Sequence, residues 1–593
     1  MKILLLFMLI LYIPAVAANE LANSPSPYLA MHGNDPVNWR DIDQDTLKTA
    51  NKAQKLIFIS SGYFSCHWCH VMQRESYQDT KIAEYLNQHF IPIKIDREMN
   101  PVLDAQLIAF VERTRGVAGW PLNVFLTPDG HPLFGLTYLP PEEFYGVLTR
   151  LTALWKDDPE SLMAIASAAS GEIQTDANWS NEVIRTVNLD DLNQSFLSML
   201  RLTASELEGG FGNGSKFPMT NQLSALLALN EDLDFLRLSL DAMSREHLMD
   251  HVNGGFFRYT TDPDWQTPHF EKMLYDNALL ASLFLKAGSK LNKPRYQKIG
   301  IDTLHFVIQG MRYPDGGYIA SLSALDHQGT EGGHYLWSEE ELSALLDKDG
   351  LALLNDHWEM NLASLFETGY LPTSLETLSG KPRDELSSVY DTLRQSRNKD
   401  ASRGLPVDDK RLSGWNGLVL SALTICAQTG DKICETEARQ QASFLLGLID
   451  EQGLNHGLDR NGKSLGPGTL EDYAYVLQGL WAWGSSSRQP SVLKKAQALL
   501  EETRRRFYRP NGWLSSQSPL LPGMLPQHHM PDGILPSPTA LLLKTDQDLS
   551  RALNQPPLLN AGRHPVNITR TVNDEPFSHA SLITFLNENP RPE

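Results

Sequence analysis

The chain has 593 residues, with 51 Lys and Arg against 71 Asp and Glu, 41% apolar and 21% charged residues, and 4 cysteines. That composition is globular, excludes a disordered or collagen-like chain, and at this length predicts more than one domain. The net charge of −20 excludes sequence-independent binding of nucleic acid, because neutralising phosphates requires a basic face.

At the start, Lys2 is followed by an apolar run from Ile3 to Ile13 and then by Pro14-Ala15-Val16-Ala17-Ala18. One positive charge, a short apolar run and small residues predict a cleaved secretory signal peptide over residues 1–18. The run is shorter than the ~20 residues of a membrane-spanning helix, so an uncleaved N-terminal anchor is the second reading. Export, with the periplasm as destination, is expected, and disulfides persist in such a compartment.

Residues 19–155 are expected to form one domain with an N-terminal extension, within which residues 55–155 alternate strand and helix signals. Lys55 to Ser61 is a short β-prone run, Cys66 to Ser76 has helical character, Phe90 to Asp96 alternates, and Pro101 to Arg113 is helical again. Two strands, Leu122 to Thr127 and Leu133 to Leu139, flank the turn Pro128-Asp129-Gly130, and a helix follows Pro140-Pro141. Strand, helix, strand, helix, hairpin, helix is a thioredoxin-like order. Residues 156–187 read as a connector. From 188 to 553 amphipathic helices dominate, among them 188–204, 220–229, 232–250, 268–287, 294–312, 383–398, 413–429, 434–450, 469–484 and 490–508, separated by loops rich in Gly, Pro and Asp. Antiparallel helical hairpins in that number close into an (α/α)6 toroid, whose inner helices are apolar all round. No fixed repeat period is visible. Residues 554–593 read as an irregular tail.

The sharpest chemical signal is Cys66-His67-Trp68-Cys69-His70, directly after a β-prone run and at a helix start. Unpaired amides and the macrodipole favour a thiolate there, and His67, Trp68 and His70 tune it. Cys66 is then the nucleophile, and Cys69, one turn on, resolves the mixed disulfide. Gly119-Trp120-Pro121 precedes a strand, where a cis-proline backbone would pair with an extended substrate beside the dithiol. The competing reading is a zinc knuckle on Cys66, Cys69 and a histidine, but no second CxxC or HxxxH lies nearby. Cys426 and Cys434 flank Thr429-Gly430-Asp431-Lys432; across a helical hairpin they are either a structural disulfide or two buried thiols.

Several helix starts carry polar clusters: Thr267-Pro268-His269 through Asn277, Trp415-Asn416, and Thr469-Leu470-Glu471-Asp472-Tyr473. If these helices are inner and parallel, His269, Glu271, Asp276, Trp415, Asn416, Glu471 and Asp472 converge at one mouth. Aromatic Trp415 and Tyr473 would stack on a sugar-like ligand, with the acids as general acid or base. The plainer reading makes Thr267 and Thr469 N-caps, Pro268 an N1 proline, and Lys272 with Asp276 an i,i+4 pair.

Taken together, Ser26-Pro27-Tyr28-Leu29, His32, Pro36-Val37-Asn38-Trp39, the Cys66 to Met72 motif, Asp96-Arg97-Glu98, Gly119-Trp120-Pro121, Pro268 to Asn277, Trp415-Asn416-Gly417 and Glu471-Asp472-Tyr473-Ala474 resemble the spermatogenesis-associated thioredoxin-domain family. The resemblance implies a thioredoxin-like domain followed by a six-hairpin glycosidase-like toroid, and a redox activity. Where that family shows an Asp-Ala-Asp tract after Gly-Gly-Tyr, this chain has Ser323-Ala324-Leu325-Asp326 after Gly316-Gly317-Tyr318. The expectation is an exported thiol–disulfide oxidoreductase without a cofactor. Its partners are protein thiols or disulfides, its toroid binds a partner or a sugar-like ligand, and a membrane enters only as a redox relay. The alternatives are a carbohydrate-active enzyme with a structural thioredoxin domain, and a non-catalytic scaffold.

Overall fold

The computed structural model describes residues 19–176, 185–186, 188–376, 378–399, 404–510, 512–518, 520–521, 526–558, 567–568 and 570–588. The expected signal peptide lies outside them. The chain forms two compact units: Met1–Gly62, Trp68–Arg97 and Gln106–Ser167 make the first, and Tyr63–His67, Glu98–Ala105 and Ala168–Glu593 the second.

In the first unit, apart from His67 and the first turn of α5, α1 (Pro27–Met31) and α2 (Gln44–Ala53) lead into β1 (Leu56–Gly62), followed by α3 (His67–Met72), α4 (Thr80–His89), β2 (Phe90–Asp96), α5 (Pro101–Arg115), β3 (Leu122–Leu126), β4 (Pro132–Leu136) and α6 (Pro141–Asp157). The sheet order is β2-β1-β3-β4. β1 runs parallel to β2, with Ile59 opposite Ile93, and antiparallel to β3, with Ile59 opposite Val124. Every residue of β1, β2 and β3 is buried, as expected of central strands covered on both faces. The observed order is the one the sequence predicts.

The N-terminal motif residues are core. Tyr28, His32, Trp39 and Tyr77 stack edge to face, and Asp35 accepts hydrogen bonds from Trp39 Nε1 (3.0 Å) and Gln73 Nε2 (2.9 Å) while sitting 2.6 Å from His32 Nδ1. Lys94 is buried among these rings. Its Nζ donates to Ser60 Oγ (2.9 Å) and lies 4.5 Å from the centre of Tyr77. Burial pushes its pKa from 10.5 down to about 7. Between those values the unfolded chain binds a proton that the folded one does not, so stability rises with pH. Lys94→Met is expected to remove about 3 kcal/mol of that rise between pH 7 and about 9.5. Hydrogen exchange of the β1 and β2 amides, corrected for intrinsic rates, measures it; parallel profiles for both proteins would contradict it.

The second unit begins with α7 (Pro159–Asp176), which straddles the division and occupies the stretch expected as a connector. It continues with α8 (Leu189–Thr203), α9 (Thr220–Leu229), α10 (Leu233–Arg245), α11 (Leu274–Lys290), α12 (Pro294–Gly310), α13 (Glu339–Leu345), α14 (Lys348–His357) and α15 (Lys381–Lys399). Then come α16 (Ser413–Gln428), α17 (Lys432–Gly447), α18 (Leu470–Ser486), α19 (Pro490–Phe507), α20 (Pro538–Leu553), α21 (Arg570–Asp574) and α22 (Ala580–Glu588). Helices α9, α11, α16, α18, α20 and α22 neighbour one another in a closed cycle, and α10, α12, α17 and α19 flank them. This is the ring of helical hairpins that the toroid reading anticipates.

From Ser413 to Thr424 every residue of α16 is buried, which fits a helix with no wet face. The ring closes through α22, inside the stretch read as an irregular tail. Nine apolar-patterned residues after a Pro-rich segment are too few to stand out by periodicity alone.

Two asparagines staple this ring. Asn277 Oδ1 accepts from Phe256 N (2.7 Å) and its Nδ2 donates to Phe256 O (3.1 Å) and Met273 O (2.9 Å). Asn416 repeats the arrangement with Tyr318 N (2.8 Å), Tyr318 O (3.0 Å) and Leu412 O (2.8 Å). The residue bridged follows a Gly-Gly pair each time. Gly255 and Gly317 have φ near +76°, and a Cβ there would run into the rings of Phe306 and Phe444. Cys426 and Cys434 form a disulfide that joins α16 to α17, with Cα atoms 5.8 Å apart.

Candidate active site

β1 delivers the chain to a turn, Tyr63–Ser65, and α3 starts immediately after Cys66, whose N–H donates to Tyr63 O (3.3 Å). Cys66 and Cys69 are both disulfide-bonded; with Cys426 paired to Cys434 and no free cysteine, they are bonded to each other. Neither sulfur offers a thiolate ligand to zinc in this state. In the first unit Gly62 lies against Cys69: a Cβ on Gly62 would fall 2.7 Å from Cys69 Sγ and closer still to the Tyr28 hydroxyl. Only glycine leaves room for that sulfur.

Among the tuning residues, Trp68 is 42% exposed, with its ring 5.0 Å from Tyr138, and His70 sits half-buried in the last turn of α3. The Trp120-Pro121 bond is cis. Arg97 places its guanidinium 4.2 Å from the centre of the Trp120 ring.

Cys66 itself is 3% exposed and Cys69 1%. In the oxidised form neither cysteine of the pair is open to solvent. The reason lies in the turn, whose side chains are spent inside the second unit. Tyr63 Oη donates to Glu271 (2.8 Å), Ser65 Oγ meets Met273 Sδ (3.2 Å), and the His67 ring lies 5.8 Å from that of His269.

The residues expected at a toroid mouth are present, and most are committed to structure. His269, Glu271, Asp276, Trp415, Asn416 and Asp472 are each less than a tenth exposed, and Glu471 is half-buried. Pro268–His269 and Lys272–Met273 are short strands ahead of α11, so Thr267 caps no helix. Lys272 does not pair with Asp276; its Nζ binds Asp250 (2.8 Å).

Glu271 forms an ion pair with Arg258 (3.3 Å), and Arg258 also donates to Tyr63 Oη. Asn416 spends its amide on the staple. Asp472 caps α18 in a box with Thr469, accepts from Gly414 N (3.1 Å) and lies 2.7 Å from His456 Nδ1. Burial alone would raise its pKa, but His456 outweighs that and holds it below the usual carboxylate range. Tyr473 does not offer a stacking face: it is buried, and its hydroxyl accepts from Leu454 N (2.9 Å). Trp415 packs edge-on against Tyr275, 4.6 Å between ring centres.

Sequence reasoning missed Glu331, which bridges two histidines. Its carboxylate lies 2.6 Å from His269 Nδ1 and 3.3 Å from His67 Nδ1. Burial opposes a proton on His269, yet the hydrogen bond and charge of Glu331 prevail and raise its pKa above 6.5. Arg258 and Glu331 stand in loops without motif spelling, so only the fold brings them to His269 and Glu271.

A domain family described as "Thioredox_DsbH: Protein of unknown function, DUF255" matches residues 18–174. Spermatogenesis-associated protein 20 of Rattus norvegicus is 30% identical over 567 residues, covering 84% of this chain and 71% of the relative. An uncharacterized protein of Caenorhabditis elegans is 29% identical over 564 residues, covering 84% and 76%. Among solved structures, a GH76 α-mannanase from Bacteroides thetaiotaomicron aligns with TM-score 0.39 and 10% identity over 68% of this chain and 84% of its own; a likeness that slight carries no argument. Motif series, sheet order and near full-length similarity agree: the chain belongs to the spermatogenesis-associated protein 20 family, with its DsbH-type thioredoxin-like domain at the N-terminal end.

Proposed function

We propose that this protein is an exported thiol–disulfide oxidoreductase that works through Cys66 and Cys69. The observation that carries the reading is the pair of bonded sulfurs at the start of α3, directly after a buried central strand. In the reducing direction the Cys66 thiolate attacks one sulfur of a partner disulfide and expels the other as a thiolate. Cys69, deprotonated in turn, attacks Cys66; the Cys66–Cys69 bond forms, the mixed disulfide breaks, and the partner leaves with both electrons and, after protonation, two protons. The oxidising direction is the reverse. In the periplasm the pair would receive electrons through a membrane relay or act as an oxidant or isomerase. The toroid then serves to hold the partner or a sugar-like ligand. A sugar-transforming reaction has less support, since Glu271 is tied to Arg258 and Asp472 to His456.

In a Cys69→Ala variant the mixed disulfide on Cys66 cannot be resolved. Reductant-sensitive adducts with partner proteins are expected on non-reducing gels, and none in the Cys66→Ser/Cys69→Ala double variant. Absence of adducts from the single variant would contradict the proposal.

A further inference from the structure

The six ring helices line a cavity of about 230 Å³ that is open to solvent, distinct in every lining residue from the cluster around His269 and Glu271. Its wall is apolar where Leu283, Trp481 and Phe585 face it, and hydroxylic at Ser282 and Ser421. Three charged side chains project into it: Lys286 from α11, Lys544 from α20 and Glu588 from α22. Lys544 is committed, with its Nζ 2.8 Å from Glu588 and 3.7 Å from Asp548. Among the described residues no hydrogen bond or ion pair holds Lys286. Of the charged side chains that line the cavity, Lys286 and Lys544 are cations and Glu588 is the anion, so the lining carries an excess of one positive charge.

Lys286 lines this bore yet is exposed to solvent, and no ion pair among the described residues engages it, so its ammonium is available to an anionic ligand. A benzene-sized ligand fits a cavity of roughly 150 Å³, so this one takes roughly nine non-hydrogen atoms. We propose that the bore of the ring binds a small organic carboxylate, with its anionic end on Lys286 and a compact apolar body against Trp481, Leu283 and Phe585. The serine hydroxyls complete the hydrogen bonding of the carboxylate. This site does not depend on the dithiol chemistry.

Calorimetric titration of the full-length protein with benzoate, and with benzamide as its neutral counterpart, tests the assignment. Benzoate is expected to bind about tenfold more tightly than benzamide, and Lys286→Met to abolish that preference by weakening benzoate more than benzamide. Glu588→Gln raises the excess positive charge and is expected to tighten benzoate several-fold, by about 3 times or more. A destabilised variant would not produce that gain. Equal binding of the two ligands, no binding of benzoate, an unchanged preference in Lys286→Met, or weaker benzoate binding in Glu588→Gln would each overturn the proposal.

Discussion

Cys66→Ser is expected to lower the rate of exchange with a small disulfide substrate by about a thousandfold or more. Serine matches the size of cysteine, so the seat before α3 is retained. What disappears is the sulfur proposed to attack the partner disulfide, placed at the start of α3, where a helix dipole favours an anion. A serine hydroxyl at this position cannot supply the thiolate that disulfide exchange requires. Residual turnover comparable to that of the intact protein would show that the chemistry resides elsewhere. The paired expectation for Cys69→Ala differs in kind: attack survives and release fails.

Asp250→Ala is expected to cost the second unit about 3–5 kcal/mol. This carboxylate accepts hydrogen bonds from Lys272 Nζ (2.8 Å), from Arg397 (3.0 and 3.1 Å) and from Val252 N (3.0 Å). All three side chains are buried. Burial alone would raise the Asp250 pKa, but Arg397 and Lys272 drive it far below the usual carboxylate range. Lys272, buried, is already lowered to about 8 despite that partner. Removing Asp250 leaves two cations facing each other in a low-dielectric interior. Because the folded pKa of Asp250 is depressed, its contribution is present above about pH 4 and is lost as the pH falls below that value. Denaturant unfolding at neutral pH measures the loss, and an unchanged midpoint would contradict the account.

Much of the fold was legible because strong local rules agree with it. The β2 run Phe90–Asp96, α9 at Thr220–Leu229 and α18 after the Thr469 cap match their sequence patterns closely. Failures have identifiable causes. The segment Pro268–Met273 reads as a helix start because proline and acids favour one; in the fold its backbone pairs with Tyr259–Thr260 and Ser321–Leu322 instead.

The ring repeat escaped detection because its spacing varies. Phe256 lies 21 residues before Asn277, but Tyr318 lies 98 before Asn416, with α13, α14 and α15 inserted between. A Gly-Gly-aromatic triplet and a later helix-start asparagine were the readable trace. The dithiol was legible as spelling and position, while Arg258 and Glu331 were not, since ion pairs across long sequence separations leave no periodic signal. Acids such as Asp472 look catalytic in sequence, and their first-turn position turns out to serve a capping box.

The central claim is that reduced Cys66 is an ionised, reactive sulfur near neutrality even though only 3% of the residue is exposed in the oxidised form. Its alkylation by iodoacetamide, followed by mass spectrometry of the reduced protein as a function of pH, measures this directly. The account predicts a rate profile with its midpoint below about pH 7. An unreactive Cys66, or a midpoint at the ordinary thiol value of about 8.5, would contradict it.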